Sequence, residues 1–317
     1  MQLFYLTSCV IQLTPNTLLD RVCSWTLLCK PRAVKCAFIR DHSPYYPVRM
    51  LCDCLEVPKS IYYSWINTPF SKRQQQTKVL DDMIKIIFDE HKCRYGSTRI
   101  AIELKARGIP CTRDRIAERM NVLHLVPKAR RKFKVTTDSN HKNPVAKNIL
   151  QQDFTATKPN QKWLTDITYI PTQEGWLYLC VFIDLYSRSI IGWSMSDRLK
   201  STLVEDALRM ALFRRRFPEG VIVHSDRGVQ YCSNAYQQLL TANGIICSMS
   251  SVGCCYDNAA MESFFHTLKV ELVHDERYES RGIAKTSIVE YIECYYNRKR
   301  RHSAINYMIP AEFEKVG

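Results

Sequence analysis

The sequence has 317 residues, of which 45 are basic and 31 acidic, and its formal net charge is +14. This length is enough for two or three domains, and no apolar run reaches the roughly 18 residues that a membrane-spanning helix needs. The positive charge predicts a polyanionic partner and favours nucleic acid over an acidic membrane surface, with a merely basic soluble protein as the alternative.

The 14 cysteines form no recognisable metal or disulfide pattern, since no Cys-x-x-Cys pair occurs in the chain. Tetrahedral zinc sites usually contain such a pair. Residues 1–35 mix apolar fragments with polar residues and lack the continuous apolar run of a secretory signal. We therefore expect a reduced cytoplasmic protein in which residues 1–35 are an atypical, poorly ordered extension.

Residues 36–134 have a helical and basic pattern. Two short helices are predicted at 48–55 and 59–65, on either side of a tight turn that contains Pro58. A longer amphipathic helix is predicted at 77–91, where apolar residues recur at helical spacing. We expect this region to be a small all-α module that binds DNA.

A second helix-turn-helix is predicted at 98–122. Its first helix is broken by a Gly-Ile-Pro sequence at 108–110, and Thr112 caps the second helix. The second helix starts with polar and basic residues, which suits a recognition helix in a major groove. The expected DNA contacts are Arg113, Arg115 and Arg119. Plain packing is the alternative, because short helix pairs are also common packing units.

A dense basic run at 128–134 follows this module, and the polar residues 135–159 after it are typical of a linker. We expect the basic run to contact DNA phosphates through Arg130, Arg131 and Lys132. A solvated charged surface is the alternative.

Residues 160–317 change to a pattern of strands and helices. Three neighbouring apolar runs at 163–170, 176–183 and 189–196 predict an antiparallel meander. The remaining predicted elements are a helix at 201–216, a buried strand at 221–224, a helix at 234–243, a short strand at 245–249, and long helices at 259–272 and 283–296. This order predicts an α/β fold with three layers and a mixed sheet.

Three carboxylates occupy unusual positions in this region. Asp166 interrupts the first apolar run, Asp226 ends the buried strand, and Glu262 lies in a helical pattern. Acidic side chains beside core strands are costly unless a cation or hydrogen bonds compensate them. They therefore predict a site for hard metal ions such as Mg²⁺, and a metal pair held by carboxylates suits phosphodiester chemistry.

The sequences around these carboxylates resemble the catalytic core shared by retroviral integrases and bacterial insertion-sequence transposases. The similarity is strongest to the second-frame product of insertion sequences whose transposase is made by fusing two overlapping reading frames. It covers residues 36–317. The matching segments are Trp163-Leu-Thr-Asp166, His224-Ser-Asp-Arg-Gly228, Asn258-Ala-Ala-Met-Glu262 with 35 residues between the last two acids, and Tyr296-Asn297 with Arg300 and His302.

The resemblance implies a ribonuclease H-like core with a mixed five-stranded sheet, preceded by the helix-turn-helix region. In that fold the first and fourth strands are adjacent, so Asp166 and Asp226 would face each other. Together with Glu262 they would be the catalytic residues and would bind two Mg²⁺ ions, which Mn²⁺ would be able to replace. Lys269 lies two turns after Glu262 on the same helix face. It is implied to touch DNA near the cut, with an exposed lysine as the alternative.

Other residues near the site have competing interpretations. The basic patch at 298–302, which includes Arg298 and Arg301, is expected to face DNA. Asp184 is expected to cap a turn, with a fourth acid of the site as the alternative, and Asp257 is expected to cap the helix of Glu262. His224 and His266 are expected to be structural, and Gly228 and Gly253 to permit tight turns.

The resemblance implies a transposase that nicks the ends of its element and joins the freed 3′-hydroxyl to another phosphodiester. The implied partners are DNA (terminal inverted repeats and target), other copies of the chain on DNA, and a protein from the upstream frame. The implied location is the bacterial cytoplasm, with the nucleoid. Two alternatives are a catalytically inactive DNA-binding relic and a nuclease without strand transfer.

Overall fold

The computed structural model describes residues 28–67, 72–128, 146–251 and 255–316. Several predictions fall outside these ranges. They concern residues 1–27 of the predicted extension, Gly253, the start of the linker, and the basic residues Arg130, Arg131 and Lys132. No helix in the described ranges is long and apolar enough to cross a membrane.

The first three helices surround a small core. They are α1 (Arg32–His42), α2 (Val48–Cys54) and α3 (Lys59–Asn67). The predicted pair of short helices is thus confirmed, while α1 begins at Arg32, before the boundary predicted at residue 36. The buried side chains between these helices include those of Ile39, Leu51, Leu55 and Tyr62.

Helix α4 (Lys72–Glu90) follows. The described chain divides into two compact units, one ending at Met83 and the other beginning at Ile84, so the division lies within α4. The predicted module boundary at residue 134 therefore does not coincide with the division into units. The second helix pair belongs to the same unit as the strands.

That pair consists of α5 (Ser97–Ala106) and α6 (Arg113–Val122), as predicted. Gly108 has φ of +80°, a conformation that glycine adopts without strain, and it allows the chain to turn after α5. Thr112 caps α6 by accepting a hydrogen bond from the backbone N–H of Arg115 at 3.4 Å.

The second unit contains a five-stranded mixed sheet with the order β3-β2-β1-β4-β5. Strands β1, β2 and β3 are antiparallel, while β4 runs parallel to both β1 and β5. The predicted sheet is confirmed. Its strands are β1 (Lys162–Thr172), β2 (Gly175–Asp184), β3 (Ile190–Ser196), β4 (Ile222–Ser225) and β5 (Ile246–Met249).

Helices cover both faces of this sheet, which gives the predicted three layers. One face packs against α7 (Ser201–Arg214) and α8 (Asn234–Ala242), and the other against α9 (Ala259–Glu271) and α10 (Arg281–Val289). A π-helical stretch, Glu290–Tyr296, continues α10, and α11 is Pro310–Val316. Alternate residues of β2 enter the two cores, because successive side chains of a strand point to opposite faces.

The described part of the predicted linker, residues 146–159, packs against the sheet unit. Leu150 is buried in the same core as α9. The backbone N–H of Ile149 donates to Ser248 Oγ at 2.9 Å, and Asn148 Nδ2 donates to Asp257 Oδ2 at 2.9 Å. This stretch therefore packs against the sheet unit, although its composition is typical of a linker.

Candidate active site

Asp166 lies within β1, and Asp226 directly follows β4, the parallel neighbour of β1. The register pairs Trp163 with Val223 and Leu164 with His224. Leu164 and His224 are the last residues of the β1–β4 pairing, and each aspartate lies two positions after one of them. The first and fourth strands are thus adjacent, as predicted. The expected approach of the two carboxylates depends on this adjacency.

Backbone N–H groups hold both carboxylates. Gly228 N–H donates to Asp226 Oδ1 at 2.9 Å, and Ile167 N–H donates to Asp166 Oδ1 at 2.7 Å. A Cβ atom on residue 228 would lie only 3.0 Å from Asp226 Oδ1. Glycine at this position therefore lets the backbone approach the carboxylate that it orients.

Glu262 lies in the first turn of α9 and is exposed. Its helix is fixed by a buried stripe that contains Met261, Phe265 and Leu268, as predicted from periodicity. Packing of this stripe against the sheet presents the neighbouring Glu262 at the rim of the core.

Asp257 is not the N-cap of α9, which corrects the prediction. The N-cap is Asn258, and it makes no side-chain capping hydrogen bond. Asp257 instead accepts hydrogen bonds from Asn148 Nδ2 at 2.9 Å, Gln152 Nε2 at 3.0 Å and Ser251 N–H at 2.8 Å. It thereby joins residues 148–152 to the chain just before α9.

The three carboxylates line a single cavity of about 590 Å³. Lys269 and His266, both on α9, lie on its wall, together with Tyr169 and Tyr231. The structure thus brings Asp166, Asp226, Glu262 and Lys269 to one place, although they come from three separate segments of the sequence.

The charges in this cavity affect one another. The pKa of Asp166 is raised well above its ordinary value, first by burial and then by the charges of Asp226 and Glu262, while Lys269 acts in the opposite direction. Partial burial raises the pKa of Glu262 and lowers that of Lys269. Asp166 and Asp226 therefore repel each other, and Lys269 compensates this repulsion only in part.

The donor chemistry of the cavity fits a hard divalent cation. Carboxylate oxygens are the ligands that Mg²⁺ prefers, and a cation would relieve the repulsion between the two aspartates. Within the described ranges, no three His, Cys, Asp or Glu side chains converge closely enough to hold a metal ion as they stand. Asp166 and Asp226 would be the first ligands, and Glu262 would join them by a movement of its exposed side chain.

Comparison with known proteins agrees with this geometry. Residues 156–255 and 262–316 match two models of an integrase core domain, and residues 74–133 match a model of an HTH-like domain. Transposase InsF for insertion sequence IS3A, from Escherichia coli (strain K12), is 47% identical over 283 residues, which cover 89% of this chain and 98% of the relative. The chain belongs to the insertion-sequence transposases that contain an integrase core. The resemblance seen in the sequence is thereby confirmed, as is the function of a DNA transposase.

Two further similarities concern a curated relative and a solved structure. The insertion element IS600 31 kDa protein of Shigella sonnei is 44% identical to the transposase over 84% of this chain and 97% of the relative. The HTLV-2 integrase catalytic core domain in complex with magnesium aligns with a TM-score of 0.38 and 16% identity, covering 50% of this chain and 98% of that chain.

His224 has a structural role in the transposase, as expected. It is fully buried, and its ring nitrogens lie 2.8 Å from Ser248 Oγ and 3.1 Å from Ser250 Oγ. Burial lowers its pKa to about 4. The neutral imidazole bridges β4 to β5 and to Ser250, which follows β5. It thereby supports the strand that precedes Asp226.

The residues predicted to contact DNA differ in exposure. Arg113 and Arg115 on α6 are exposed and Arg119 is half-buried, and Arg298 is also exposed. DNA contact by these four residues stays a prediction.

Arg301 is a correction to this set. Its Nε donates to Glu103 Oε2 at 2.6 Å and its Nη1 to the carbonyl of Tyr307 at 3.3 Å, and only 15% of its side chain is exposed. Its neighbour Arg300 is buried against Glu271. Both guanidinium groups thus bind other parts of the protein, in contrast to the predicted DNA-facing patch.

One residue of the site was not predicted from the sequence. Tyr169 lines the cavity three residues after Asp166, and the only signal for it is an aromatic residue that follows the aspartate in the same strand.

Asp184 does not line the cavity. It caps a turn as predicted, by accepting a hydrogen bond from Tyr186 N–H at 3.0 Å. Its second oxygen also accepts one from Asn160 N–H at 3.0 Å, a contact that the sequence does not reveal.

Proposed function

We propose that this transposase nicks DNA at the ends of its element and joins the freed 3′-hydroxyl to another phosphodiester, with Asp166, Asp226 and Glu262 as catalytic and metal-binding residues. The observation that carries the proposal is that the three carboxylates and Lys269 line one cavity. The position of the two aspartates beside the β1–β4 register supports it further.

The metal is proposed to be Mg²⁺, which Mn²⁺ would replace. When bound, two such ions activate the attacking oxygen and stabilise the leaving oxygen of a phosphodiester. Asp166 and Asp226 would hold the metal, and the backbone N–H groups of Ile167 and Gly228 would keep their carboxylates oriented. Glu262 would complete the ligand set from α9.

Lys269 is proposed to bind the DNA phosphate next to the cut. Lys269 lines the cavity, and the charge of Asp166 acts on its pKa, so the two groups are within electrostatic reach. A lysine at this position would offset the negative charge that the carboxylates present to an approaching phosphate.

The remaining DNA contacts are proposed along the exposed basic residues. They are Arg113, Arg115 and Arg119 on α6, Arg298 after the π-helical stretch, and Arg130, Arg131 and Lys132 outside the described ranges. The DNA would consist of the terminal inverted repeats and the target. Other copies of the chain and a protein from the upstream frame are proposed as partners on this DNA.

The proposal is tested with labelled DNA that carries an end of the element, incubated with the protein and Mg²⁺. Asp226→Asn removes a charged metal ligand, and Asp206→Asn is the matched control because Asp206 is an exposed residue of α7 away from the cavity. Nicked and joined products are expected with the wild-type protein and the control, but not with Asp226→Asn.

Each other outcome contradicts the proposal in a recognisable way. Binding without metal-dependent nicking would indicate the inactive relic, and nicking without joined products would indicate a nuclease. No observation favours the relic, since all three carboxylates are present and lie on the same cavity.

A further inference from the structure

Three aromatic side chains cluster on β1 and β2, beside the cavity of the carboxylates. Tyr169 itself lines that cavity. The ring centroids of Tyr169 and Tyr178 are 5.2 Å apart, and those of Tyr169 and Trp176 are 6.3 Å apart, with interplanar angles of 70° and 84°. Both contacts are edge-to-face, an arrangement that aromatic pairs prefer.

The sheet register explains why these rings meet. Tyr169 is directly opposite Tyr178, and Trp176 is opposite Pro171, so Trp176 is a diagonal neighbour of Tyr169 on the same face of the sheet. Two neighbouring rings therefore fix the orientation of Tyr169 before any ligand binds. A platform that is held in place loses little conformational entropy on binding.

Exposure rises along this face toward the turn between β1 and β2. Phe182 and Cys180 of β2 are fully buried under α7, whereas Trp176 is 54% exposed and Tyr169 is 43% exposed. Large exposed aromatic surfaces that are grouped in this way mark binding sites more often than single exposed apolar residues do.

The aromatic cluster is continuous with the site of the chemistry. The pKa of Tyr169 is raised by burial, then by Tyr178, and then by the charges of Asp226 and Asp166. The phenol is thus neutral near pH 7 and within electrostatic reach of both aspartates. A ligand that contacts the carboxylates and also extends an aromatic group would reach Tyr169.

We propose that Tyr169, supported by Trp176 and Tyr178, is a stacking platform for one unpaired nucleobase next to the scissile phosphate. The proposal rests on the proposed function, since that function places the scissile phosphate at the carboxylates. Every base offers a flat aromatic face, so stacking on protein aromatics tolerates any sequence. A base that flanks the cut reaches such a platform only after it leaves the stack of the duplex.

This proposal is tested by a double-mutant cycle, in which a substitution in the protein is combined with the removal of one base from the DNA. The probe is a duplex that carries the terminal inverted repeat of the element, and an abasic site replaces each nucleotide near the cut in turn. Affinity is measured without divalent metal, so that the reading does not depend on catalysis. Tyr169→Ala is expected to weaken binding roughly 10-fold, and Tyr169→Phe to stay within about 2-fold of wild type, because the phenylalanine ring still stacks.

The decisive measurement is the coupling free energy between Tyr169→Ala and the abasic site. At one position, the abasic site is expected to weaken binding to the wild-type protein about as much as Tyr169→Ala does, and to have no further effect on the Tyr169→Ala protein. Phe213→Ala is the matched control, because Phe213 is a 76% exposed aromatic residue of α7 that does not line the cavity. It is expected to leave binding and coupling unchanged.

The outcomes separate this proposal from the proposed function. The platform would be overturned if the effects of Tyr169→Ala and of the abasic site were independent at all positions. It would also be overturned if the Tyr169→Phe protein behaved like Tyr169→Ala. If the platform fails while the wild-type protein still nicks with Mg²⁺, the proposed function stands. Coupling without any nicking would show that Tyr169 stacks on a base of the element end, but it would overturn the proposed function and with it the position of that base next to a scissile phosphate.

Discussion

Arg300 donates three hydrogen bonds of 2.8–3.0 Å to the carboxylate of Glu271, and both side chains are buried. Tyr291 Oη donates a further one at 2.8 Å. Burial alone raises the pKa of Glu271, but Arg300, Tyr291 and Arg99 together hold it below its ordinary value. Glu271 is the last residue of α9, so this ion pair anchors one end of the helix that carries Glu262.

Removal of Arg300 is expected to destabilise the second unit strongly. Arg300→Ala leaves the Glu271 carboxylate buried and without its nearest ion-pair partner, and Arg99 remains only at 4.0 Å. Breaking a buried pair in this way typically costs about 3–5 kcal/mol. The free energy of unfolding, measured with urea, checks this prediction. Lys285→Ala is the control, because Lys285 is exposed on α10, and the expected change there is within about 0.5 kcal/mol. Equal losses from the two variants would show that the buried pair does not stabilise the fold.

Lys269→Ala is expected to weaken DNA binding about equally for all sequences. A lysine that contacts a phosphate contributes charge without reading bases, so its loss lowers the slope of log affinity against log salt by about 1. Lys269→Arg keeps the charge and is expected to keep the slope. Lys285→Ala, on the exposed surface of α10, is the control. A Lys269→Ala protein with the wild-type salt slope would contradict a phosphate contact.

The strands and the two aspartates were predictable because local pattern determines them. Apolar runs bounded by turn residues define β1 and β4, and an acid that interrupts or ends such a run is visible in the sequence. Periodicity also gave the buried stripe of α9 and left Glu262 beside it. These predictions depend only on neighbours within the same element.

The basic residues were less predictable because their partners are distant in sequence. In the sequence, nothing distinguishes Arg298, Arg300 and Arg301, since all three lie in one basic run. Only the tertiary contacts distinguish them, since Arg301 meets Glu103 at a separation of 198 residues and Arg300 meets Glu271 at a separation of 29. Asp257 was misassigned for the same reason, because its partner Asn148 lies 109 residues away.

Gly228→Ala is expected to lower the nicking rate without unfolding the protein. The new Cβ atom would lie 3.0 Å from Asp226 Oδ1, so the carboxylate must shift by a few tenths of an ångström. Misplacement of a reacting group by about 1 Å costs roughly 100-fold in rate, so a loss of about 10-fold is expected here.

The control for this prediction is Gly282→Ala in α10. A Cβ atom there would meet only Ser280 Oγ, at the ordinary distance of 3.6 Å. Nicking rates and thermal unfolding of both variants check the prediction. A Gly228→Ala protein that nicks at the wild-type rate would show that the approach of this backbone to Asp226 does not position the carboxylate.

His91 is expected to make the second unit less stable in acid. The side chain is buried, stacked on Tyr95 with a centroid distance of 3.6 Å, and lies 3.3 Å from Tyr295 Oη through Nδ1. Burial lowers its pKa from 6.5 to about 4, although the charges of Glu103 and Glu90 oppose this effect.

Between about pH 4 and pH 6.5, His91 is therefore neutral in the folded protein and protonated in the unfolded protein, so unfolding takes up a proton. The free energy of unfolding should fall as the pH is lowered from about 6.5 to about 4, by up to roughly 3 kcal/mol from this residue. Urea titrations across this range measure the effect. His91→Phe is the matched variant, because its ring still stacks on Tyr95 but binds no proton. As the pH is lowered, the free energy of unfolding of the wild type should fall relative to that of His91→Phe. Parallel pH profiles would show that His91 does not titrate with unfolding.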